Sequence, residues 1–559
     1  MALVLAPLIA CTAEVNGGVA NQQTPGTGGS GSGGSGGSGG DTVTPQDCVG
    51  SEIAMPRRIV RLSFNQLASS LRPVFGDAFA ASVLTGIQVP PTTERTFPPL
   101  GDTSEGSSYI DAKWQTADAI ATRAGEQALA TFATFTGCGD APTSECATAF
   151  LASLAERAFR RPLDAREQSS VLQVFSEVVT AGGSVQQGAQ ATVSAIYSAP
   201  QFLYRTELGT AAVPGPLAPY ELASQLSFFL TDGPPDSELL AAAAQNLLTT
   251  EQQIGAHVDR LLALPATKAN LQDTVLSSFG IARVLSVVID GLPADVFNNG
   301  VAASMFRESQ LFINQVLWGG GQVSDLATSR KSFINAQLAP LYGVAPPTLV
   351  DVDGFGAVDL PENRAGVLTS LGFLTSRSRP DQQSVVGRGL SVNDAILCQQ
   401  NPAFPENLAD QIESLNSMQH DLSERERADY RATTAPCLGC HRSFDPYGIS
   451  LENFDVVGRF RTTDPEGRPI DASVTLPAVA GGSVALSAVE MGKALADSGA
   501  FSACVATKLL TYALAETGVQ GESCATRAVA DRFASSDHSF SALVRAVAVS
   551  KTLTQRSGG

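Results

Sequence analysis

The chain has 559 residues, 43% of them hydrophobic, and a formal net charge of -18. That apolar content excludes a disordered chain and, at roughly 100–200 residues per domain, allows about three to five domains with cores of their own. The acidic balance repels phosphate backbones and argues against nucleic acid as a partner.

Ala2–Ala10 is an apolar run of signal-peptide type, with no Lys or Arg before it, and it ends in Leu8-Ile9-Ala10-Cys11. That tetrapeptide resembles a bacterial lipobox, which implies cleavage before Cys11, a lipid on its thiol and residence in the cell envelope, at the outer membrane or cell surface. Membrane contact is then through the anchor only, since no stretch approaches the ~20 apolar residues of a span. Pro25–Gly40 is almost all Gly and Ser. Such a tract forms no core and behaves as a flexible tether of about 30 Å reach. Its glycines mimic a dinucleotide fingerprint and a nucleophile elbow, but neither lies between a strand and a helix.

The folded part reads as mainly α, a multi-helical multidomain protein with a small β-hairpin after the CxxCH segment. Helical spacing recurs in Val60, Leu62, Phe64, Leu67, Leu71 and Phe75, then in Phe150, Leu151, Leu154 and Ala158, then in Leu222, Leu226, Phe229 and Leu230. Asp232-Gly233-Pro234-Pro235 stops the third of these, and Asp236 is the expected N-cap of a helix through Leu239-Leu240. Further helices are expected over 251–264, 303–317, 333–342, 364–375, 384–398, 486–515 and 525–555. Arg459–Thr462 and Ile470–Leu476 are the expected hairpin arms around Asp464-Pro465-Glu466-Gly467. The domain boundaries follow as 1–11 (signal and lipobox), 12–50 (linker), 51–135, 136–210, 211–345, 346–480 (carrying CxxCH) and 481–559.

The chemistry concentrates in Cys437-Leu438-Gly439-Cys440-His441. C-x-x-C-H is the attachment signature of c-type haem. On one helical turn the two thiols face the same side and reach two vinyl groups, while the next residue offers its imidazole to the iron. One covalent haem c is therefore expected, on Cys437, Cys440 and His441. Pro446 is the candidate acceptor for the second ring nitrogen, and Arg459 and Arg461 are candidate partners of the propionates. For the sixth position Met491 and His420 compete with an open site, and for Met491 a plain core role is the slightly favoured reading. Three other readings stand beside haem. A thioredoxin-like pair needs a preceding strand, which Glu424–Thr434 does not supply. A zinc site needs four ligands, yet there is no second C-x-x-C and the histidines are His257, His420, His441 and His538 alone. A plain Cys437–Cys440 disulfide leaves His441 unexplained.

Setting aside Cys11, Cys437 and Cys440, six of the nine cysteines remain, enough for three disulfides in an oxidising compartment. Cys138 and Cys146 flank a turn, Cys504 and Cys524 flank a helix and loop, and Cys48 with Cys398 is left by elimination. Buried free thiols are the alternative.

The segment from Cys437 through Asp445-Pro446, Glu452-Asn453-Phe454-Asp455 and Gly458-Arg459-Phe460-Arg461 resembles the large multidomain proteins of planctomycetes and myxobacteria. These string together several domains of unknown function and carry a cytochrome-c-like motif near the C-terminus. Arg157–Leu163, Tyr220–Leu230 with Pro235-Asp236, Arg364–Thr369 through Gly387-Arg388-Gly389, and Cys504–Leu514 resemble successive domains in the same order, so the likeness covers roughly 58–550. The Pro-rich stretch usual after the equivalent of Cys398 is reduced here to Asn401-Pro402-Ala403-Phe404-Pro405. The resemblance implies secretion, a mostly helical build and a c-type haem, but no substrate.

Three functions compete on this evidence. The first is a surface-anchored c-type haem protein for electron transfer or haem-dependent oxidation, with an unidentified redox partner. The second is a non-haem, disulfide-stapled scaffold lipoprotein working on or near a polysaccharide or other polymer. The third is a hydrolase, for which only loop carboxylates such as Asp351 and Asp353 offer themselves.

Overall fold

A computed structural model describes residues 53–87, 107–210, 214–401, 422–435, 437–515 and 523–557. Cys11, Cys48, the Gly/Ser tract and His420 lie outside these. The architecture is mainly α, and the sheets among the described residues are two-stranded and antiparallel. No described helix is long and apolar enough to cross a membrane.

The first layer is built from strand β1 (Arg58–Arg61) and helices α1 (Phe64–Leu84), α2 (Ser107–Ala130), α3 (Ser144–Phe159), α4 (Ala165–Thr180) and α5 (Val185–Ser198). Capping boxes start α1, α4 and α5: Ser63 with Gln66, Asp164 with Glu167 and Ser184 with Gln187. Their apolar stripes meet in one core that runs from Leu62 through Leu71, Ile120, Leu154 and Val193 to Phe228. The expected domains 51–135 and 136–210 thus bury their side chains in common.

After strand β2 (Tyr204–Glu207) come strand β3 (Gly215–Pro216) and helices α6 (Pro219–Thr231), α7 (Glu251–Leu262), α8 (Pro265–Ser278) and α9 (Asn299–Trp318). The main core joins α6–α9 to the C-terminal helices, running from Leu217 to Leu553. Asp236 caps the helix Ser237–Ala244 by accepting from the Leu239 N–H at 2.9 Å.

Several expected elements differ. Residues 60 and 61 belong to β1, because β2 offers them a ladder partner. The helix expected over 333–342 is strand β4 (Lys331–Ile334) followed by the short turn Ala339–Tyr342. Burial alternates along β4, which pairs with β5 (Gly356–Asp359). The stretch 364–375 breaks at Gly366, whose φ of 59° and contact with the Ala327 backbone admit no side chain. Around Asp464–Gly467 there is only the bridge Thr463↔Pro469. The paired strands lie further on, Val474–Thr475 against Val484–Ala485.

The cysteines also depart from expectation. Cys138 pairs with Cys146, but Cys398 pairs with Cys504. The pairings Cys504–Cys524 and Cys48–Cys398 are therefore corrected, and Cys524 is disulfide-bonded otherwise. Cys504 sits on the buried side of helix Ala500–Leu514, and Cys398 ends the preceding turn at φ 53°, which aims its thiol at that helix.

The first and last segments of the described residues meet around Glu207, which is completely buried. Arg58 of β1 reaches its Oε2 at 2.6 Å, Arg205 its Oε1 at 2.7 Å, and Arg556 of the C-terminal strand bonds Oε2 as well. Burial pushes this carboxyl up, but the charges of Arg205, Arg58 and Arg556 outweigh it and hold the pKa at about 2. A depressed folded value stabilises above the unfolded pKa near 4.5 and is lost as pH falls toward 2. Glu207→Gln leaves the buried guanidiniums of Arg205 and Arg556 without their counter-ion. It is expected to cost about 3–5 kcal/mol in urea unfolding at pH 7. The deficit should shrink as pH drops below 4.5.

Candidate functional site

The CxxCH segment forms the elbow and first turn of a helix pair, α10 (Glu424–Thr433) and α11 (Leu438–Ser450). A Ser423/Glu426 capping box starts α10. Cys437 opens the second helix, and its carbonyl accepts from both the Cys440 and the His441 N–H at 3.1 Å. Cys437 and Cys440 are therefore neighbours on one turn. Both thiols are half-buried and unbridged. A helix, not a strand, precedes the motif, so the thioredoxin context is absent. Among the described residues no group of three or more His, Cys, Asp and Glu is placed to hold a metal ion.

His441 has a defined environment. Its Nδ1 lies 3.0 Å from Asp445 Oδ1, one turn further on, and its ring rests on Phe444 at 4.9 Å between centroids. Asp445 is buried, and its other oxygen accepts from Arg431 Nε at 2.8 Å. A carboxylate already paired with a guanidinium can only accept, so in this contact Nδ1 is the donor and Nε2 is the ring nitrogen that faces away from Asp445. Pro446, the expected acceptor, lies inside the helix rather than in a loop, and its neighbour Asp445 takes that role. The His-x-x-x-Asp spacing on one helix face was the available signal. Arg431, from the preceding helix, had none.

The helix is fixed from behind. Gly448 packs so tightly that a Cβ would stand 2.0 Å from the Val385 carbonyl oxygen, and one on Gly389 would stand 2.2 Å from that of Phe444. The following segment is tied by buried guanidiniums. Arg388 donates to the carbonyls of Leu451 (3.1 Å), Phe454 (2.6 Å) and Asp455 (2.6 Å). Arg364 donates to that of Gly458 at 2.6 Å and lies between the rings of Tyr342 and Phe454.

Of the other expected residues, Arg459 is engaged by Asp455, Nε to Oδ2 at 2.7 Å. Arg461 has a buried Nε with no hydrogen-bond partner, as does the Nη2 of Arg431. Met491 is completely buried in the aliphatic main core. Asp351 closes its own turn by accepting from the N–H groups of Asp353 and Phe355 at 2.9 Å, and Asp353 pairs with Arg307 at 3.3 Å. These two carboxylates serve the loop.

Glu452, two residues past the helix, is buried, and its carboxyl is raised from 4.5 to about 7, by burial first and then by Glu424. A raised acid stabilises the fold while protonated, and that contribution is lost as pH rises through 7. Glu452→Gln, permanently neutral, is therefore expected to melt above the wild type at pH 8 and level with it at pH 4, in scans by circular dichroism.

Four family matches run along the chain. Residues 146–207 match the family described as "Protein of unknown function (DUF1595)", and residues 217–344 match "Protein of unknown function (DUF1592)". Residues 364–464 match "Protein of unknown function (DUF1588)", and residues 481–553 match "Protein of unknown function (DUF1585)". No curated protein and no solved structure matches. The chain thus has a multidomain architecture of four successive domains of unknown function, with the CxxCH helix pair inside the third.

Proposed function

We propose that this chain is an exported c-type haem protein, anchored in the cell envelope through a lipid on Cys11, that transfers electrons outside the cytoplasm. The observation that carries the reading is the His441–Asp445–Arg431 chain beside two unbridged thiols on the same turn. A haem supplies the one-electron chemistry when bound. The protein's part is attachment, orientation and tuning.

Each thiol would add across one vinyl group, its sulfur bonding one carbon and its hydrogen passing to the other, so no external oxidant is needed. His441 would present Nε2 to the iron. Asp445 fixes the ring and makes it a more basic ligand, as outer carboxylates do for metal-bound imidazoles. Arg431 and Arg461, each with a buried donor unmatched, are the groups to pair with propionates. Met491, sealed in aliphatic core, is assigned to packing. The disulfides Cys138–Cys146 and Cys398–Cys504 support an oxidising compartment.

The test is a reduced pyridine haemochrome on the full chain, exported in a host with cytochrome c maturation machinery. One covalent haem per chain is expected, surviving denaturation and lost in Cys437→Ala/Cys440→Ala. A folded, exported protein without covalent haem would overturn the proposal. In the loaded protein, Asp445→Asn is expected to raise the reduction potential by on the order of 60 mV, a tenfold change in a one-electron equilibrium. Redox titration reads it.

A further inference from the structure

A second site lies far along the chain from the CxxCH segment, where the domains at 146–207 and 217–344 adjoin. A cavity of about 660 Å³ opens there, lined by Ile59, Phe159, Tyr204, Tyr220, Pro200 and Ala218 together with Arg160, Arg161, Arg205 and Glu221. Its size and its place between two domains are those of small-molecule sites. Most of its wall is apolar or aromatic, and its charges do not cancel.

Arg160 is the key residue. It is 3% exposed, and its two Nη atoms donate only to backbone carbonyls: those of Ala158 and Phe202 at 3.0 and 3.3 Å, and of Gln201 and Tyr204 at 2.8 Å each. These acceptors satisfy its hydrogen bonds and leave its charge without a counter-ion. Burial, then Arg205 and Arg161, lowers its pKa to about 9, as expected of a cation among cations. Arg205 shares Glu207 with Arg58 and Arg556, and its own Nε is buried without a hydrogen-bond partner. Arg161 is held by Glu167 through two contacts of 2.7 Å. The one carboxylate in the lining, Glu221, is taken up by the N–H groups of Leu208, Gly209 and Ala218. The cavity is therefore a cationic, partly aromatic pocket in a chain of net charge -18.

We propose that this cavity binds a small organic monocarboxylate whose body is an apolar ring. The carboxylate meets the uncompensated charge of Arg160 and the unmatched Nε of Arg205, and the ring packs among Phe159, Tyr204, Tyr220 and Pro200.

The experiment uses the full chain and isothermal titration calorimetry at low salt, with 2-naphthoate as probe and 2-naphthalenemethanol as its neutral counterpart. Charge is varied at Ile59, which lines the mouth and is 62% exposed, so that the buried arginines stay untouched. Naphthoate is expected to bind at least about tenfold more tightly than the alcohol. Its affinity should fall about three- to tenfold in Ile59→Glu and rise in Ile59→Lys. No binding to folded protein, equal binding of the alcohol, or the same affinity in both Ile59 variants would overturn the proposal. Loss of covalent haem in Cys437→Ala/Cys440→Ala leaves this titration unaffected.

Discussion

The fold depends on one buried carboxylate. Glu207 ends the β2 strand that closes the first core, and the three guanidiniums around it come from the start, the middle and the end of the described chain. A carboxylate at zero exposure with no cation beside it takes up a proton rather than keep its charge. Burying Glu207 with its charge therefore requires Arg58, Arg205 and Arg556 to arrive together, which closes the C-terminal strand onto Gly215–Pro216 and Met55 onto Arg556. The layer order of the whole body follows from that convergence: the first core is locked to the main core through residues 349 positions apart.

The same device recurs without the carboxylate. Arg160, Arg364 and Arg388 are buried and spend their N–H groups on main-chain carbonyls at helix ends and in loops. Only a guanidinium does this well, because its planar fork reaches several acceptors at once and it keeps its charge under desolvation. The result is rigid irregular backbone. Leu451–Gly458, which holds no regular helix or strand, is pinned at Leu451, Phe454, Asp455 and Gly458, so the CxxCH helix has a fixed end as well as a fixed start.

What was legible in the sequence was local. Asp236, the α6 stripe Leu222–Leu230 and the CxxCH turn carry their signals within a few residues, and periodicity and capping read such signals directly. Strand Lys331–Ile334 was not legible, because its identity comes from a partner strand 25 positions on and from Glu308, which accepts from Ser332 at 2.7 Å. The Cys398–Cys504 bond depends on a positive φ at Cys398, and nearest-neighbour pairing cannot anticipate that. At the site, the motif residues were legible by spacing and Asp445 was within reach of it. Arg431 was not, since its role exists only once two helices fold back on each other.

Charge is partitioned in this molecule. The chain carries 54 acidic against 36 basic side chains, yet its largest fully buried side chains are Arg364, Arg388 and Arg556. Glu207, Glu308, Asp445 and Glu452 are buried as well, while the net charge of -18 keeps the protein apart from other anionic surfaces. At Arg160 the interior offers a guanidinium with no carboxylate beside it. Anions then gain little from long-range attraction and much from short-range pairing inside, where low dielectric strengthens each contact. That arrangement selects ligands by fit rather than by charge alone. An anion reaches Arg160 or Arg461 only if its body is apolar enough to be buried with it, and a free ion such as phosphate, strongly hydrated, gains too little there to be held.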